Sequence, residues 1–314
     1  MSDRVVVVVR TKNRPDFLRR ALADIAAQTY ADVAIVVVND GGDRALVEDV
    51  SRSSSVRDRV TVLDSNQPGG RSAAANTGVR AVEAEFVVLH DDDDLWHPSF
   101  LADTVAWLDA HPSHGGVSAA TEIVYEEFRD GTWTESGRAP FWRDMTHVSL
   151  ADMLLINRVV PISMLYRRRL HEIHGGYDER LEAVEDWDFY LRVMRTHEIG
   201  YLAGPPRAFW SQRPSAIGDS ANSMFGLAFQ HERDDAAVRD RALAEWVGSN
   251  GLALPLYIAS VEKRLQAEFS RELSVSLARQ REEIVALVHE RHPLWRRLRS
   301  IRARLFRSRA SDGA

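Results

Sequence analysis

Four consecutive carboxylates, Asp91 to Asp94, follow the apolar run Phe86–Leu89 and precede Leu95, Trp96, His97 and Pro98. A short apolar run bounded by turn signals reads as a buried strand. The acids therefore sit past a strand's carboxyl end, the edge where open α/β sheets bind ligands. Like charges this close repel, and burying them unpaired is expensive. A divalent cation removes the conflict, because hard cations take oxygen ligands. The plainer alternative is a solvated acidic turn capping a helix near Pro98, with Asp94 as the cap. A second acidic pair, Glu185-Asp186, opens a segment with Phe189, Tyr190, Val193 and Met194 at helical spacing. The dipole at a helix N-terminus favours the ionised form of a carboxylate there. That form is what a general base needs; the alternative is a helix cap. Arg71, after Gly69-Gly70 and at the head of another helical segment, has the make-up of a phosphate site, or of an ordinary surface Arg.

The elements that would position these groups follow from periodicity. Val5–Val9 is β-branched throughout without alternation, as in a strand of a parallel sheet buried on both faces. Arg10 to Pro15 reads as a polar turn, and Phe17, Leu18, Ala21, Leu22 and Ile25 recur at helical spacing. A strand at 34–38 ends in Asn39-Asp40-Gly41-Gly42, and a short strand covers 60–63. A loop follows at 66–70, then a helix over 71–84 that Thr77-Gly78 weakens. Strands alternating with helices imply βαβ units and a mostly parallel, Rossmann-like sheet flanked by helices. Thr11-Lys12-Asn13-Arg14, Asn39-Asp40 and Asp91–Asp94 then line one edge, a pocket for a polar anionic ligand with a metal. There is no Walker A sequence and no G-x-G-x-x-G. Strands are expected at 117–120 and 123–128, with a turn at Asp130-Gly131. The segment 131–160 reads as irregular, 204–226 as a loop, and the chain from 227 onward as helical.

The remaining composition excludes more than it identifies. A length of 314 residues suits one large or two modest domains, and a net charge of −6 gives no general case for nucleic-acid binding. The absence of cysteine excludes disulfides and thiolate metal sites. No signal core and no apolar run of membrane-spanning length is visible, so a cytoplasmic protein is expected. The C-terminus qualifies this. Across 291–309 the arginines run without an acid, while Leu294, Leu298, Ile301 and Leu305 share a helical face. That is the make-up of a helix lying on an anionic surface, here the inner face of the plasma membrane, or of a solvated or partner-binding tail. Co-sedimentation with anionic vesicles separates these readings. The apolar steps at 258–277 suit self-association or packing on the rest of the chain.

Taken together, these residues resemble family 2 glycosyltransferases. Thr11, Asn13, Arg14 and Pro15, with Gln28-Thr29-Tyr30 and Asn39-Asp40-Gly41, are similar to the family's opening. The stretch from Asn66 through Gly69-Gly70-Arg71 to Asn76-Thr77-Gly78 is similar to its second motif. Asp91-x-Asp93-Asp94-x-Trp96-x-Pro98 resembles the DxD-type metal motif, and Gly175–Glu179 with Glu185–Asp188 resembles the acceptor loop and "ED" motif. The resemblance spans about residues 4 to 215. It implies a GT-A fold over 1–226 with a helical extension over 227–314. It also implies inverting transfer of a sugar from a nucleotide sugar, expected to be a UDP-sugar, to a glycan or lipid-linked acceptor of the cell envelope. Asp91 and Asp93 would hold Mn²⁺ or Mg²⁺, with Asp93 in direct contact. Thr11, Asn13, Arg14, Asp40, Arg71 and Asp92 would bind the donor: Asp40 the base, Arg71 the diphosphate, Asp92 the ribose or sugar. Asp186 would be the base, with Glu185 its rival. His231 is a candidate metal ligand, and Trp142 and Trp187 candidate sugar platforms. Asn39, Gly42 and His90 depart from the usual pattern and leave the nucleotide open. A nucleotidyltransferase and a non-catalytic nucleotide-sugar-binding scaffold are the alternatives. The first expects a glycine-rich basic N-terminal loop that this chain lacks.

Overall fold

The computed structural model describes residues 3–65, 69–291 and 297. In chain order the first half contains β1 (Val5–Thr11), α1 (Pro15–Ala26), β2 (Val33–Asn39), α2 (Arg44–Ser53), β3 (Val60–Asp64), α3 (Arg71–Ala81) and β4 (Phe86–Asp91). Then come β5 (Leu95–Trp96), α4 (Phe100–Ala110), β6 (Gly116–Ala119), β7 (Thr121–Arg129), β8 (Thr132–Pro140) and α5 (Leu150–Leu155). The second half has β9 (Met164–Arg167), α6 (Leu170–His174), α7 (Glu185–Met194), β10 (Ile199–Leu202) and β11 (Ala208–Gln212). It ends in α8 (Ser223–Gly226), α9 (Ala228–Asn250) and α10 (Ala253–Arg291).

The valine run becomes an inner strand of a seven-stranded sheet ordered β10-β6-β9-β4-β1-β2-β3. β1 pairs in parallel with both β2 and β4, and Val5 to Val9 are fully buried. Only β9 among these strands runs antiparallel to its neighbours. Two apolar layers sandwich the sheet. One side packs Leu18, Leu22 and Ile25 of α1 with Phe100 and Leu108 of α4; the other packs Ala74 and Val79 of α3 with Phe189 and Val193 of α7. A second sheet, ordered β5-β11-β7-β8, carries the site's other wall.

The chain divides into two units, Met1–Asp240 and Arg241–Ala314. Up to residue 240, α9 is tied into the first unit: Val238 is buried, and Arg239 donates to the carbonyls of Leu154 (2.8 Å) and Leu155 (3.1 Å). In the second unit α10 is a long helix whose Leu265, Phe269, Leu273 and Leu277 are exposed. Apart from Arg291 and Arg297, the basic segment 291–309 lies outside the described residues, as does the 66–68 part of the expected loop. No described helix is long and apolar enough to cross a membrane.

Several expectations need correction. Arg10 and Thr11 belong to β1 rather than to a turn, because Arg10 finds partners that let it be buried. The segment 132–140 is a strand; its polar, exposed sequence lacks alternation because β8 pairs only with β7 at the sheet's edge. Asp130 (φ 49°) and Gly131 (φ 82°) form the left-handed turn between them. Within the expected loop 204–226, β11 is held between β5 and β7. Arg44–Ser53, not singled out by periodicity, forms a helix capped by the Asp43 carboxylate, which accepts from Ala45 N–H. Asp94 is not a helix cap, since α4 begins at Phe100 and Asp94 instead accepts from the Ser211 N–H of β11 at 2.9 Å.

Gly78 does not break α3; it lets the helix lie on the sheet. A Cβ there would stand 2.2 Å from Val8 Cγ1. Gly78→Ala should therefore destabilise the protein by about 1–3 kcal/mol in denaturant unfolding, the cost of overpacking a filled core. An unchanged midpoint would contradict that close approach.

Candidate active site

The ends of β1 and β4 meet the heads of α3 and α7 through Arg10 and Arg71. Arg10, at the end of the valine strand, is 5% exposed. Its guanidinium donates to both oxygens of Asp91 (2.8 and 3.0 Å) and, from Nη1, to Glu185 Oε1 at 2.7 Å. Arg71, the first residue of α3, adds an Nη2 contact to Asp91 Oδ2 at 3.3 Å and lies 3.7 Å from Glu185. The acids after β4 and those at the start of α7 are thus joined through two arginines.

The four neighbouring acids do not behave alike. Burial raises Asp91, but Arg10 and then Arg71 outweigh it and hold Asp91 below the ordinary carboxylate range. Asp93 is likewise held low, burial being outweighed by Arg14 and Arg213. Burial pushes Asp92 up to about 7, although Arg14 opposes it. Burial, reinforced by the charges of Asp93 and Asp91, drives Asp94 well above the ordinary value. The two even-numbered acids are the inward anchors. Asp92, expected to touch the ribose or sugar, is instead fully buried and accepts from Thr11 Oγ1 (2.7 Å) and Arg14 Nε (3.2 Å), so it holds those two residues in place. Asp94 ties the loop to β11.

At the other end, Val184 precedes Glu185 in the left-handed region at φ 55°, a strained setting for a β-branched residue. The turn leading to it is pinned by Asp234 of α9, which accepts the N–H groups of Glu182 (2.7 Å) and Ala183 (2.9 Å). Glu185 is raised by burial, but Arg71 and Arg10 outweigh this and keep it ionised. Asp186 is pushed up to about 7, first by burial and then by the charge of Glu185. The helix dipole, expected to keep Asp186 in the ordinary range, is thus outweighed. Its Oδ2 accepts from Asn157 Nδ2 at 2.9 Å. One carboxylate is pinned and ionised; its neighbour is poised near neutrality.

The strand-two cluster is built differently. Asp40 Oδ1 accepts from Ser65 Oγ (2.9 Å) and Gly70 N–H (2.7 Å), closing the loop before α3. Asn13 (φ 53°) accepts from Asp43 N–H through Oδ1 at 3.2 Å and, with Thr11, Arg14 and Leu46, lines a small hollow. The departures at Asn39 and Gly42 have local causes. Asn39 Nδ2 donates to Asp64 Oδ1 at 3.0 Å while its Oδ1 accepts Gly42 N–H at 2.9 Å. A Cβ on Gly42 would fall 2.8 Å from the Asn13 backbone nitrogen. His90 is buried, 3.2 Å from Asp24, with its ring edge-on to Trp96.

Other expected residues make different contacts. Trp187 is 2% exposed and donates to Met153 O at 2.6 Å; it packs in the core rather than offering a platform for sugar. Trp142 lines a hollow with Phe141, Met145 and Arg158. His231 makes no bond to Asp91 or Asp93 among the described residues, although it lies within electrostatic reach of Arg71 and Glu185; burial and then Arg71 lower its pKa. In the Gly175–Glu179 loop, Gly176 is required because a Cβ would meet Asn76 Oδ1 at 2.6 Å, and Asn76 Nδ2 donates to Tyr177 O at 2.9 Å. Reading the sequence missed Arg10, Asn157, Arg213 and Asn222. A lone Arg ending an all-valine strand was the one visible signal.

A divalent cation fits this donor set in a limited way. Both oxygens of Asp91 accept from guanidinium groups. The bonds to the Asp93 carboxylate from Arg14, Arg213 and Asn222 all go to Oδ2, leaving Oδ1 without one among the described residues. No group of three acidic or histidine side chains converges as an all-protein cage among the described residues. One or two carboxylates completed by substrate phosphates is the ordinary arrangement for Mg²⁺ at a nucleotide site, and Asp93 Oδ1 suits it.

The comparisons with known proteins agree with this architecture. The family profile described as "Glycosyltransferase like family 2" matches residues 3–226. The uncharacterized glycosyltransferase YwdF of Bacillus subtilis (strain 168) is 28% identical over 201 residues, covering 62% of this chain and 70% of that protein. Of solved structures, S. aureus TarS 1-349 in complex with UDP-GlcNAc matches with a TM-score of 0.54 at 21% identity, over 80% of this chain and 75% of that one. In another TarS 1-349 structure the matched part is 60% of that chain. The mannosyltransferase PcManGT from Pyrobaculum calidifontis, in complex with GDP-Man and Mn²⁺, matches with a TM-score of 0.56 at 19% identity, over 98% of this chain and 86% of that one. At these identities the likeness is one of fold, the GT-A fold.

Asn39→Asp should place a second carboxylate against Asp64 and destabilise the protein by about 1–3 kcal/mol at pH 7, the scale of a broken buried hydrogen bond. Denaturant unfolding checks this, and equal stability of the two proteins would contradict the Asn39–Asp64 pairing.

Proposed function

Because the chain belongs to glycosyltransferase family 2, we propose that it moves a sugar from a nucleotide sugar to an acceptor hydroxyl with inversion. The observation that carries this reading is the joining, through Arg10 and Arg71, of the acid run after β4 to the head of α7, which brings in two differently tuned carboxylates: Asp93, held low with one oxygen free of hydrogen bonds among the described residues, and Asp186, poised near neutral pH. The donor is proposed to be a UDP-sugar and the acceptor a hydroxyl of a glycan or lipid-linked glycan. The neighbours' complexes with UDP-GlcNAc and with GDP-Man and Mn²⁺ support a nucleotide-sugar donor and divalent-metal use here.

In this mechanism Asp186 takes the proton of the attacking hydroxyl. A hydroxyl is a poor nucleophile until deprotonated, and a base with a pKa near the working pH is the efficient choice. Glu185 is a poor base by comparison, since Arg71 and Arg10 stabilise its ionised form, both from the side of Oε1. It instead raises Asp186 by its charge. Asn157 orients Asp186 through Oδ2. On the donor side, Arg71 is 30% exposed at its side chain, suited to face the diphosphate, and Asp40, Thr11, Asn13 and Arg14 border the nucleoside side. Asp93, with Mn²⁺ or Mg²⁺ bound, would supply Lewis-acid stabilisation of the departing nucleoside diphosphate.

Asp186→Asn should lower the rate of transfer by about 10²–10⁴-fold while nucleoside diphosphate binding persists. Because the base must be deprotonated, the wild-type rate should rise with pH and level off above about 7. Nucleoside diphosphate release from a panel of UDP- and GDP-sugars, with candidate acceptors and Mn²⁺, measures both. Full activity in the Asn variant, or a limb near pH 4, would reject Asp186 as the base; no release from any donor would reject transfer.

A further inference from the structure

Among the described residues Arg213 is the second-largest fully buried side chain, with no exposed surface. Its backbone N–H donates to Asn222 Oδ1 at 2.6 Å and its Nε to Ser220 O at 3.0 Å. Its fork is two-headed: Nη1 donates to Glu126 Oε2 at 2.9 Å, and Nη2 donates to Asp93 Oδ2. The guanidinium carbon lies 4.5 Å from the centre of the Phe17 ring and 5.5 Å from that of Trp133. Asn222 Nδ2 reaches the same Asp93 oxygen at 3.2 Å and also Ser211 O at 2.8 Å. Arg20 closes the circuit by donating to Glu126 Oε1 and to the backbone carbonyl of Asp93.

A buried charge among aromatic rings is a costly way to fill space, and apolar side chains of similar volume fill it as well or better. Here the charge does something an apolar side chain cannot: it fixes which oxygen of Asp93 faces inward. We propose that Arg213 is a positioning residue that, with Asn222, locks Asp93 Oδ2 into the protein so that Oδ1 is presented to the cation and diphosphate of the donor. This rests on the nucleotide-sugar reading of the site. Lys is not an equivalent here, because a single ammonium lacks the planar fork that spans Glu126 and Asp93 together.

The test is calorimetric binding of UDP and GDP, each with and without Mn²⁺, to the full chain and its variants, with thermal unfolding as a check of folding. Wild type should bind at least one nucleotide more tightly with Mn²⁺. Arg213→Lys should remain folded and lose most of that gain, about tenfold or more, while binding without Mn²⁺ stays near wild type. Asn222→Ala, which keeps the guanidinium, should lose a smaller part of the gain and serves in its place if Arg213→Lys does not fold. Metal-assisted binding equal to wild type in a folded variant overturns the positioning role alone. A wild type that binds neither nucleotide overturns the donor reading itself.

Discussion

A guanidinium taken almost wholly out of water must be paired or it will not be tolerated. Arg10 meets this requirement with two carboxylates from distant parts of the chain, Asp91 after β4 and Glu185 at the head of α7. The rest of the site depends on that bridge. It fixes where the acid loop sits relative to α7, and it keeps Asp91 and Glu185 ionised inside the protein. Ionised Glu185 then adds to burial in raising the carboxyl beside it, so Arg10, together with Arg71, bears on three acids.

The same logic distributes work along the acid run. Asp91 and Asp93, each held by two arginines, stay charged, and acids turned inward lose that charge or hold it only at higher pH. Four identical side chains thereby acquire separate duties: Asp91 in the bridge, Asp92 holding Thr11 and Arg14, Asp93 open on one oxygen, and Asp94 anchoring β11. The small second sheet is part of this arrangement, since β7 supplies Glu126 and β11 leads into Arg213.

Much of the scaffold was legible because apolar runs and turn residues are local signals. The central strands, α1, α3 and α7, and the placement of acids at strand ends all follow from periodicity and punctuation. What was not legible depends on partners far away in sequence. Arg10 looked like the start of a turn because a charge ended an apolar run; its burial is explained only by residues 81 and 175 positions later. β8 and β11 lack alternation because they are short or exposed strands whose pairing, not burial, defines them. Arg213 lay in a stretch read as loop. Trp187 follows the acids in sequence but points into the core, and no local pattern distinguishes that from a sugar platform. Asp186 was placed correctly at the head of a helix, yet its titration follows from burial and Glu185, which the helix dipole alone does not predict.

The most direct measurement of the central bridge is a double-mutant cycle on Arg10 and Glu185, read by denaturant unfolding of Arg10→Met, Glu185→Leu and the combined variant. Each single change strands a buried charge and should cost about 3–5 kcal/mol. The combined change removes both charges and should cost clearly less than the sum, with a coupling of about 1–3 kcal/mol. Strict additivity of the two changes would mean that the bridge does not hold the two halves of the site together.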